Sequence, residues 1–365
     1  MTYELNNIRK DMELFNGDLK KTSPVVEVFA AMINGESLDR FGKKADKAVA
    51  YIKELGTRAN NGDVNAAIEL NTMRRWIVEA PILDEMKMLG IFGSYQNVAY
   101  DEAIEREVYD YAGEASREQA NNGDPVFTLA TKNVYPVPTF TVSGGYEVDY
   151  RKIELGDMSK EYEGMQYVKT DILNNANRAI ITKVYKAIKA ATGIKHVFEG
   201  AGLTKAGVDA VITALRRYGR LTIAGDYATI SQFSPWAGYV GSVNSNTILG
   251  ISQKAMEEIA QNGNLSMYNG ALLNVIDNPY NESKLNAAGD NFETLFPAGL
   301  AFVIPTGDKS PIKTWTRGGL TSLQGVDVKS GKIITRFDLE VACDVAKGRE
   351  HQIGMIYDSQ IGGLQ

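Results

Sequence analysis

Between residues 160 and 192, apolar side chains recur every three or four positions: Met165, Val168, Ile172, Ala176, Ile180, Val184, Ile188 and Ala191. That spacing predicts an α-helix with one buried stripe. Glu161 and Glu163 lie near its start, and Lys183, Lys186 and Lys189 near its end, as the helix macrodipole favours. Gly193 is the expected stop. At 1.5 Å per residue such a helix is about 45 Å long. A helix of that length acts as a beam on which other elements are laid. Ile172, Ile180 and Ile188 are expected to face strands of the same domain.

The chain before the beam reads in two parts. Residues 1–123 are polar and helical in spacing, as in Ala48, Ile52, Leu55 and in Ala66, Ile68, Met73, Ile77. Breaks fall at Ser23-Pro24, Asn34-Gly35, Asn60-Asn61-Gly62, Pro81 and Asn121-Asn122-Gly123. These pieces are too short for a large core and read as an arm. In residues 124–158 the period changes to two: Phe140 and Val142, then Tyr146, Val148 and Tyr150. Ser143-Gly144-Gly145 between them predicts the turn of a long hairpin. Pro136 and Pro138 exclude a central-strand position just before it. An isolated hairpin is marginal in water, so this one is expected to rest on another subunit.

After the beam come a helix over 204–218, a buried strand in RLTIAGD, a short helix or loop in YATISQFSPWAG, and a helix over 253–262. Strands follow in GALLNVIDN and GLAFVIP, and three more lie between Lys309 and Asp358. Helical arm, hairpin, long helix, mixed region and closing strands make an α+β chain.

Composition narrows the function. The formal net charge is −6 with a pI near 5.3, which argues against a DNA-binding domain with a basic face. The densest basic run, Arg216-Arg217-Tyr218-Gly219-Arg220, sits at a predicted helix C-terminus and is expected to be structural or inter-subunit. The single cysteine, Cys343, alternates with Val341 and Val345, which predicts a buried thiol. His196 and His351 have no partner at metal-ligand spacing. The N-terminus lacks the apolar region of a signal peptide, and no apolar run is long enough to cross a membrane.

Chemical motifs are weak. Gly307-Asp308-Lys309-Ser310 resembles the tail of a phosphate loop without its upstream glycine. Gly200-Ala201-Gly202 with Gly207 has the wrong spacing for a dinucleotide loop and is expected to be a linker after a helix. Tyr146, Tyr150, Trp236 and Trp315 do not interleave with basic residues, which suits core or interface. No catalytic, cofactor-binding or metal residue is assigned.

The order of elements resembles the HK97-type fold of tailed-phage major capsid proteins. PVPTFTVSGGYEVDY matches that family's extended hairpin, the E-loop, and EYEGMQYVKTDILNNANRAIITKVYKAIKAA its spine helix. The GAG segment then marks entry to an axial domain. VDAVITALRRYGRLTIAGDYATISQF and MEEIAQNGNLSMYNGALLNVIDN match its helix–strand units. The resemblance covers residues 124–358. It implies an arm or extension over 1–123, an E-loop over 124–158 with its inter-subunit tip at Ser143, Gly144 and Gly145, and a spine over 159–193. An axial domain over 194–298 and closing strands of the peripheral domain over 299–365 complete it. In some relatives an N-terminal segment is cut off as a scaffold; here it is expected to be retained. The implied function is a major capsid protein that self-assembles into hexamers and pentamers of an icosahedral phage head. The head encloses double-stranded DNA without reading its sequence. Portal, scaffold and decoration proteins are the implied partners, with no membrane. The implied location is the virion, assembled in the bacterial cytoplasm. An encapsulin-like compartment shell and a soluble α+β enzyme are the alternatives.

Overall fold

A computed structural model of the chain describes residues 23–33, 36–88, 93–112, 116, 118, 127–149, 159–236, 261, 263–286, 289–306, 310–327 and 332–361. It divides into two units, residues 1–88, 140–176 and 316–341, and residues 89–139, 177–315 and 342–365.

The first unit begins with helices α1 (Pro24–Ile33), α2 (Lys43–Asn60) and α3 (Val64–Met88). Val25, Val28, Phe29, Tyr51, Ile52, Leu55, Leu70 and Met73 are buried and form the core of this cluster. Gly62, at φ +89°, allows the tight turn between α2 and α3. The Asp63 carboxylate then caps α3, accepting from the backbone N–H of Asn65 at 3.0 Å and of Ala66 at 3.3 Å. Arg58 pairs with the same carboxylate and, with those N–H groups, holds it below the usual carboxylate range.

Most of strand β4 (Thr139–Asp149), the first half of helix α4 (Ser159–Ala190, to residue 176) and the greater parts of the long strands β12 (Ile312–Asp327) and β13 (Lys332–Val345) supply the rest of this unit. β13 lies between β12 and β4. The stripe predicted on α4 is buried: Met165, Val168, Ile172, Ala176, Ile180, Val184 and Ile188 are all within 2% of full burial.

The predicted turn at Ser143, Gly144 and Gly145 is corrected by the structure: all three lie inside the continuous strand β4. Neither glycine has a positive φ. Their lack of a side chain serves packing instead. A Cβ on Gly144 would stand 3.1 Å from side-chain carbons of both Val168 and Ile172 on α4. A Cβ on Gly145 would stand 2.8 Å from the Thr335 carbonyl oxygen on β13. The pair lets a strand lie close to a helix on one side and to its sheet neighbour on the other.

The second unit is built on a six-stranded sheet with the order β5-β14-β11-β6-β8-β7. These are β5 (His196–Gly200), β6 (Leu221–Gly225), β7 (Met267–Tyr268), β8 (Ala271–Val275), β11 (Leu300–Pro305) and β14 (Gly354–Asp358), while β9 (Tyr280–Leu285) and β10 (Phe292–Thr294) pair as a separate two-stranded sheet. β11 runs antiparallel to both β14 and β6, whereas β14 is parallel to β5 and β6 to β8. Helix α5 (Lys205–Leu215) packs Val208, Val211, Ile212 and Leu215 onto Ile223, Val303 and Ile356 of the sheet. Thr204 caps it by accepting from the Gly207 N–H at 3.3 Å. Short helices α6 (Tyr227–Ile230) and α7 (Phe233–Trp236) follow β6. The helix expected over 253–262 lies outside the described residues except Gln261.

Three further expectations change. The segment to residue 123 is not helical throughout: β1 (Ser94–Val98) and β2 (Glu105–Ala112) are strands. Gly200-Ala201-Gly202 follows strand β5 rather than a helix, and it is tied down, with Gly202 N–H donating to Asp358 Oδ1 at 2.8 Å. β11 and β14, expected among the peripheral closing strands, belong to the six-stranded sheet, where backbone pairing to β6 and β5 fixes them.

Candidate assembly surface

Strand β2 pairs only with β3 (Leu129–Pro136), antiparallel and in unbroken register from Glu105 opposite Pro136 to Ala112 opposite Leu129. Eight residues of strand make a ribbon about 26 Å long. Among the described residues no other strand pairs with either edge. β3 is exposed along its length except at Tyr135. This ribbon lies upstream of the turn that the sequence suggested at Ser143, Gly144 and Gly145.

The ribbon has two faces, because residues opposite each other in an antiparallel pair point the same way. One face, with Arg106, Val108 and Tyr135, is fastened at its base. Val137 N–H donates to the Ile104 carbonyl at 2.9 Å and closes the root of the ribbon. The Arg106 guanidinium donates to the Pro311 carbonyl at 3.2 Å. Tyr135 Oη donates to Asp344 Oδ2 at 2.7 Å and accepts from the Lys347 N–H at 3.2 Å. The Lys347 ammonium also sits over the Tyr135 ring at 4.5 Å. Arg349 donates to the Tyr109 carbonyl. Val98, Ile104, Val137, Trp315 and Ala342 form a small apolar core beneath.

Burial governs the electrostatics of this root. It raises the Asp344 carboxyl above its ordinary value, against the opposing pull of Tyr135, Arg106, Lys347 and Lys183. It pushes the Tyr135 hydroxyl up to about 12 and lowers the Arg106 guanidinium. A raised tyrosine remains a donor to Asp344 throughout the physiological range.

The other face carries Glu105, Glu107, Tyr109, Tyr111, Ala130, Lys132 and Val134. Lys132 bridges to Glu107 at 2.6 Å and reaches over the Tyr109 ring. Tyr111 is 67% exposed and Val134 47%. Among the described residues nothing covers this face, and further apolar side chains, Leu129 and Phe127, lie exposed at the distal end. An amphipathic ribbon with one exposed face has the character of an interaction surface.

The other predicted residues fall elsewhere. Ser143, Gly144 and Gly145 contact α4 and β13 and are not part of the ribbon. Ile172, Ile180 and Ile188 are core residues of the spine, with Ile172 against β4. Cys343 lines a cavity of about 650 Å³ with Lys183, Asp344, Lys347 and His351. Burial pushes its thiol up to about 12, so it stays protonated and is a poor nucleophile. Arg216 donates to the Gly270 carbonyl at 2.7 Å, tying α5 to the β7–β8 turn, while Arg217 and Arg220 remain exposed. Trp315 is buried and Trp236 packs on the sheet core. Tyr150 and the Gly307–Lys309 segment lie outside the described residues. Among the described residues no three His, Cys, Asp or Glu side chains gather as metal ligands, and no helix is long and apolar enough to cross a membrane.

No curated protein matches the chain in sequence. Among solved structures, the head of the Helicobacter pylori bacteriophage KHP40 is similar, with a TM-score of 0.49 at 9% identity. The match covers 73% of this chain and 87% of that one. The capsid of an empty GTA particle scores 0.47 at 12% identity, over 74% of this chain and 89% of that one. A virus-like particle from Pyrococcus furiosus scores 0.42 at 10% identity, over 76% and 97%. A family model described as "SPbeta prophage-derived putative capsid protein YonB" matches residues 4–357. That match spans nearly the whole sequence, and the chain belongs to this prophage capsid protein family.

Proposed function

We propose that this capsid protein is the repeating subunit of an icosahedral phage head, assembling into hexamers and pentamers around double-stranded DNA. The rooted β2–β3 ribbon carries the reading. An uncovered ribbon with exposed tyrosines on one face is unfavourable for a lone subunit and favourable once a neighbour covers it. Contacts of this kind, in which one patch meets a different patch on the next copy, close into rings and shells. The ribbon, at residues 105–136, takes the role that the resemblance assigned to an E-loop over 124–158. The six-stranded sheet takes that of the axial domain, and α4 with β4, β12 and β13 that of the peripheral domain. The role is structural, as membership of a capsid protein family implies.

A net charge of −6 suits a wall that holds DNA without gripping it. Portal and scaffold or decoration proteins are the further partners, and assembly takes place in the host cytoplasm before the subunits become part of the virion. The test is electron microscopy of purified chain, unsubstituted and with Tyr109→Asp and Tyr111→Asp together. Both tyrosines are exposed, so the double variant folds. Closed shells from the unsubstituted chain and unassembled subunits from the variant are expected. Normal shells from the variant would overturn the role of the ribbon. A chain that stays monomeric under all conditions would overturn the capsid role.

A further inference from the structure

Helix α5 ends in a tight turn, Arg216–Tyr218, which leads through Gly219 into strand β6. Arg216, Arg217 and Arg220 stand on or beside that turn, and all three are exposed. The chain has 45 acidic side chains against 39 Lys and Arg, yet among the described residues no carboxylate pairs with any of the three. Arg216 is held by uncharged groups instead. Its Nη1 donates to the Gly270 carbonyl at 2.7 Å and to the Asn269 carbonyl at 3.4 Å. A Cβ on Gly270 would stand 2.6 Å from that Nη1 and 2.8 Å from Nη2, so the missing side chain makes room for the guanidinium. Asp209, on the same helix, is engaged elsewhere: its Oδ1 accepts from the Tyr268 hydroxyl at 2.9 Å and from the Asn269 amide at 2.6 Å. Carbonyls fix a guanidinium without neutralising it. Ile212, Thr213, Arg216, Arg217 and Asn269 line an open cavity of about 490 Å³ at this point.

We propose that this arginine turn is a phosphate-binding site. A guanidinium presents its N–H donors in a planar fork that matches a phosphate, and Arg216 spends only Nη1 on the two carbonyls. Its Nε and Nη2 are left for a ligand. Arg217 brings a second fork to the same cavity, and Thr213 a hydroxyl. Arg220 adds a third cation three residues on. The C-terminus of α5 opposes an anion with roughly half a negative charge, which three full cations outweigh. Their mutual repulsion disfavours the empty turn, and a dianion bound among them removes it. The cavity beside Cys343 has no such excess, because Lys183 and Lys347 there are matched in number by Asp344 and Glu350. A free phosphate compound and the backbone of double-stranded DNA present the same group. Arginines confined to one turn reach no more than about three phosphates, so DNA held here would still be held loosely by a chain of net charge −6. The site is separate from the ribbon and does not depend on shell assembly.

The test uses unassembled subunits of the full chain. Inorganic pyrophosphate is titrated at constant ionic strength by calorimetry, and a short fluorescein-labelled DNA duplex by anisotropy. The test variant combines Arg217→Gln with Arg220→Gln. Both side chains are exposed and make no bond among the described residues, so the variant folds, and its melting temperature checks that it does. Lys43→Gln with Lys44→Gln removes the same charge from exposed positions on α2 and serves as the control. Pyrophosphate is expected to bind the unsubstituted chain and the control alike, and the arginine variant about tenfold more weakly or worse. If DNA is the source of the phosphate, the duplex binds as well, and the slope of log affinity against log salt falls by about 2 in the arginine variant. A duplex that fails to bind while pyrophosphate binds makes the ligand a free phosphate compound. No binding of either probe to the unsubstituted chain would overturn the site and leave the capsid role standing. Binding that the arginine variant retains, or an equal loss in the lysine control, would do the same.

Discussion

Gly144 and Gly145 distinguish a strand packed between two neighbours from a turn at a hairpin tip. Neither has a positive φ, so alanine fits the backbone of both and gains about 0.4–1 kcal/mol by restricting the unfolded chain. The steric costs differ. At Gly144 the new Cβ meets the ends of Val168 and Ile172 at 3.1 Å, and side-chain ends can move by a few tenths of an ångström. At Gly145 it meets the Thr335 carbonyl oxygen at 2.8 Å. Carbon and carbonyl oxygen approach to about 3.3–3.6 Å even when the contact is favourable, so this one is roughly 0.5 Å too close. Relief requires moving a paired backbone strand, in the range of about 1–3 kcal/mol for overpacking. Gly144→Ala is therefore expected near neutral and Gly145→Ala destabilising by about 1–2 kcal/mol net. For a chain of this size, at or below about 2–4 °C per kcal/mol, Gly145→Ala should lower the melting temperature by a few degrees. Differential scanning calorimetry of unassembled subunits reads the difference. Equal tolerance of alanine at both positions, or a larger loss at Gly144, would refute the packing argument.

Ile180 is fully buried on α4, and Ile180→Asp would place an unpaired charge in the core at a cost of several kcal/mol, giving insoluble or unfolded subunits; soluble, assembling protein would show that this face is misassigned. Burial raises the folded-state Asp344 carboxyl above its unfolded value, so the folded state holds its proton where the unfolded state has lost it. Stability should rise as pH falls through the folded-state value toward about 3.9, and Asp344→Asn should remove that increment. Thermal melts of both proteins from pH 7 to pH 4.5 measure it, and an unchanged pH slope in the variant would show that Asp344 does not contribute.

What the sequence revealed depended on how local the signal was. The spine was legible because eight apolar positions at helical spacing carry their own evidence, and the structure buries seven of them almost completely. Strands β6, β8 and β11 were legible as short apolar runs. The ribbon was not. Glu105–Ala112 alternates, but its outward residues are tyrosines and glutamates and its partner lies beyond Asn121-Asn122-Gly123, which read as the end of a helical arm. A strand that depends on a partner 24 residues away at Leu129–Pro136 shows little by itself, since β propensity reflects neighbours more than backbone. Ser143-Gly144-Gly145 failed for the opposite reason. Two adjacent glycines are a strong turn signal, and only the positions of Val168, Ile172 and Thr335 reveal that they serve close approach. His196–Gly200 was missed because a five-residue strand at the sheet edge, half-buried except at the exposed Glu199, has no clear period.

The candidate surface was hidden by the same physics that makes it useful. A surface completed by another copy must leave apolar side chains and backbone edges exposed in the single chain. Tyr109, Tyr111 and Val134 on the ribbon have that character. In sequence they are indistinguishable from core positions, because both are apolar residues spaced by two or by three and four. Helix α3 shows this plainly. Its buried residues Ala66, Leu70 and Met73 and its exposed residues Val64 and Ile68 lie on different sides, so its apolar residues form no single stripe. A helix apolar on two sides has two things to cover. One is the helical cluster of its own chain. The other, Val64 and Ile68, is left exposed among the described residues, at the cost of apolar surface held in water.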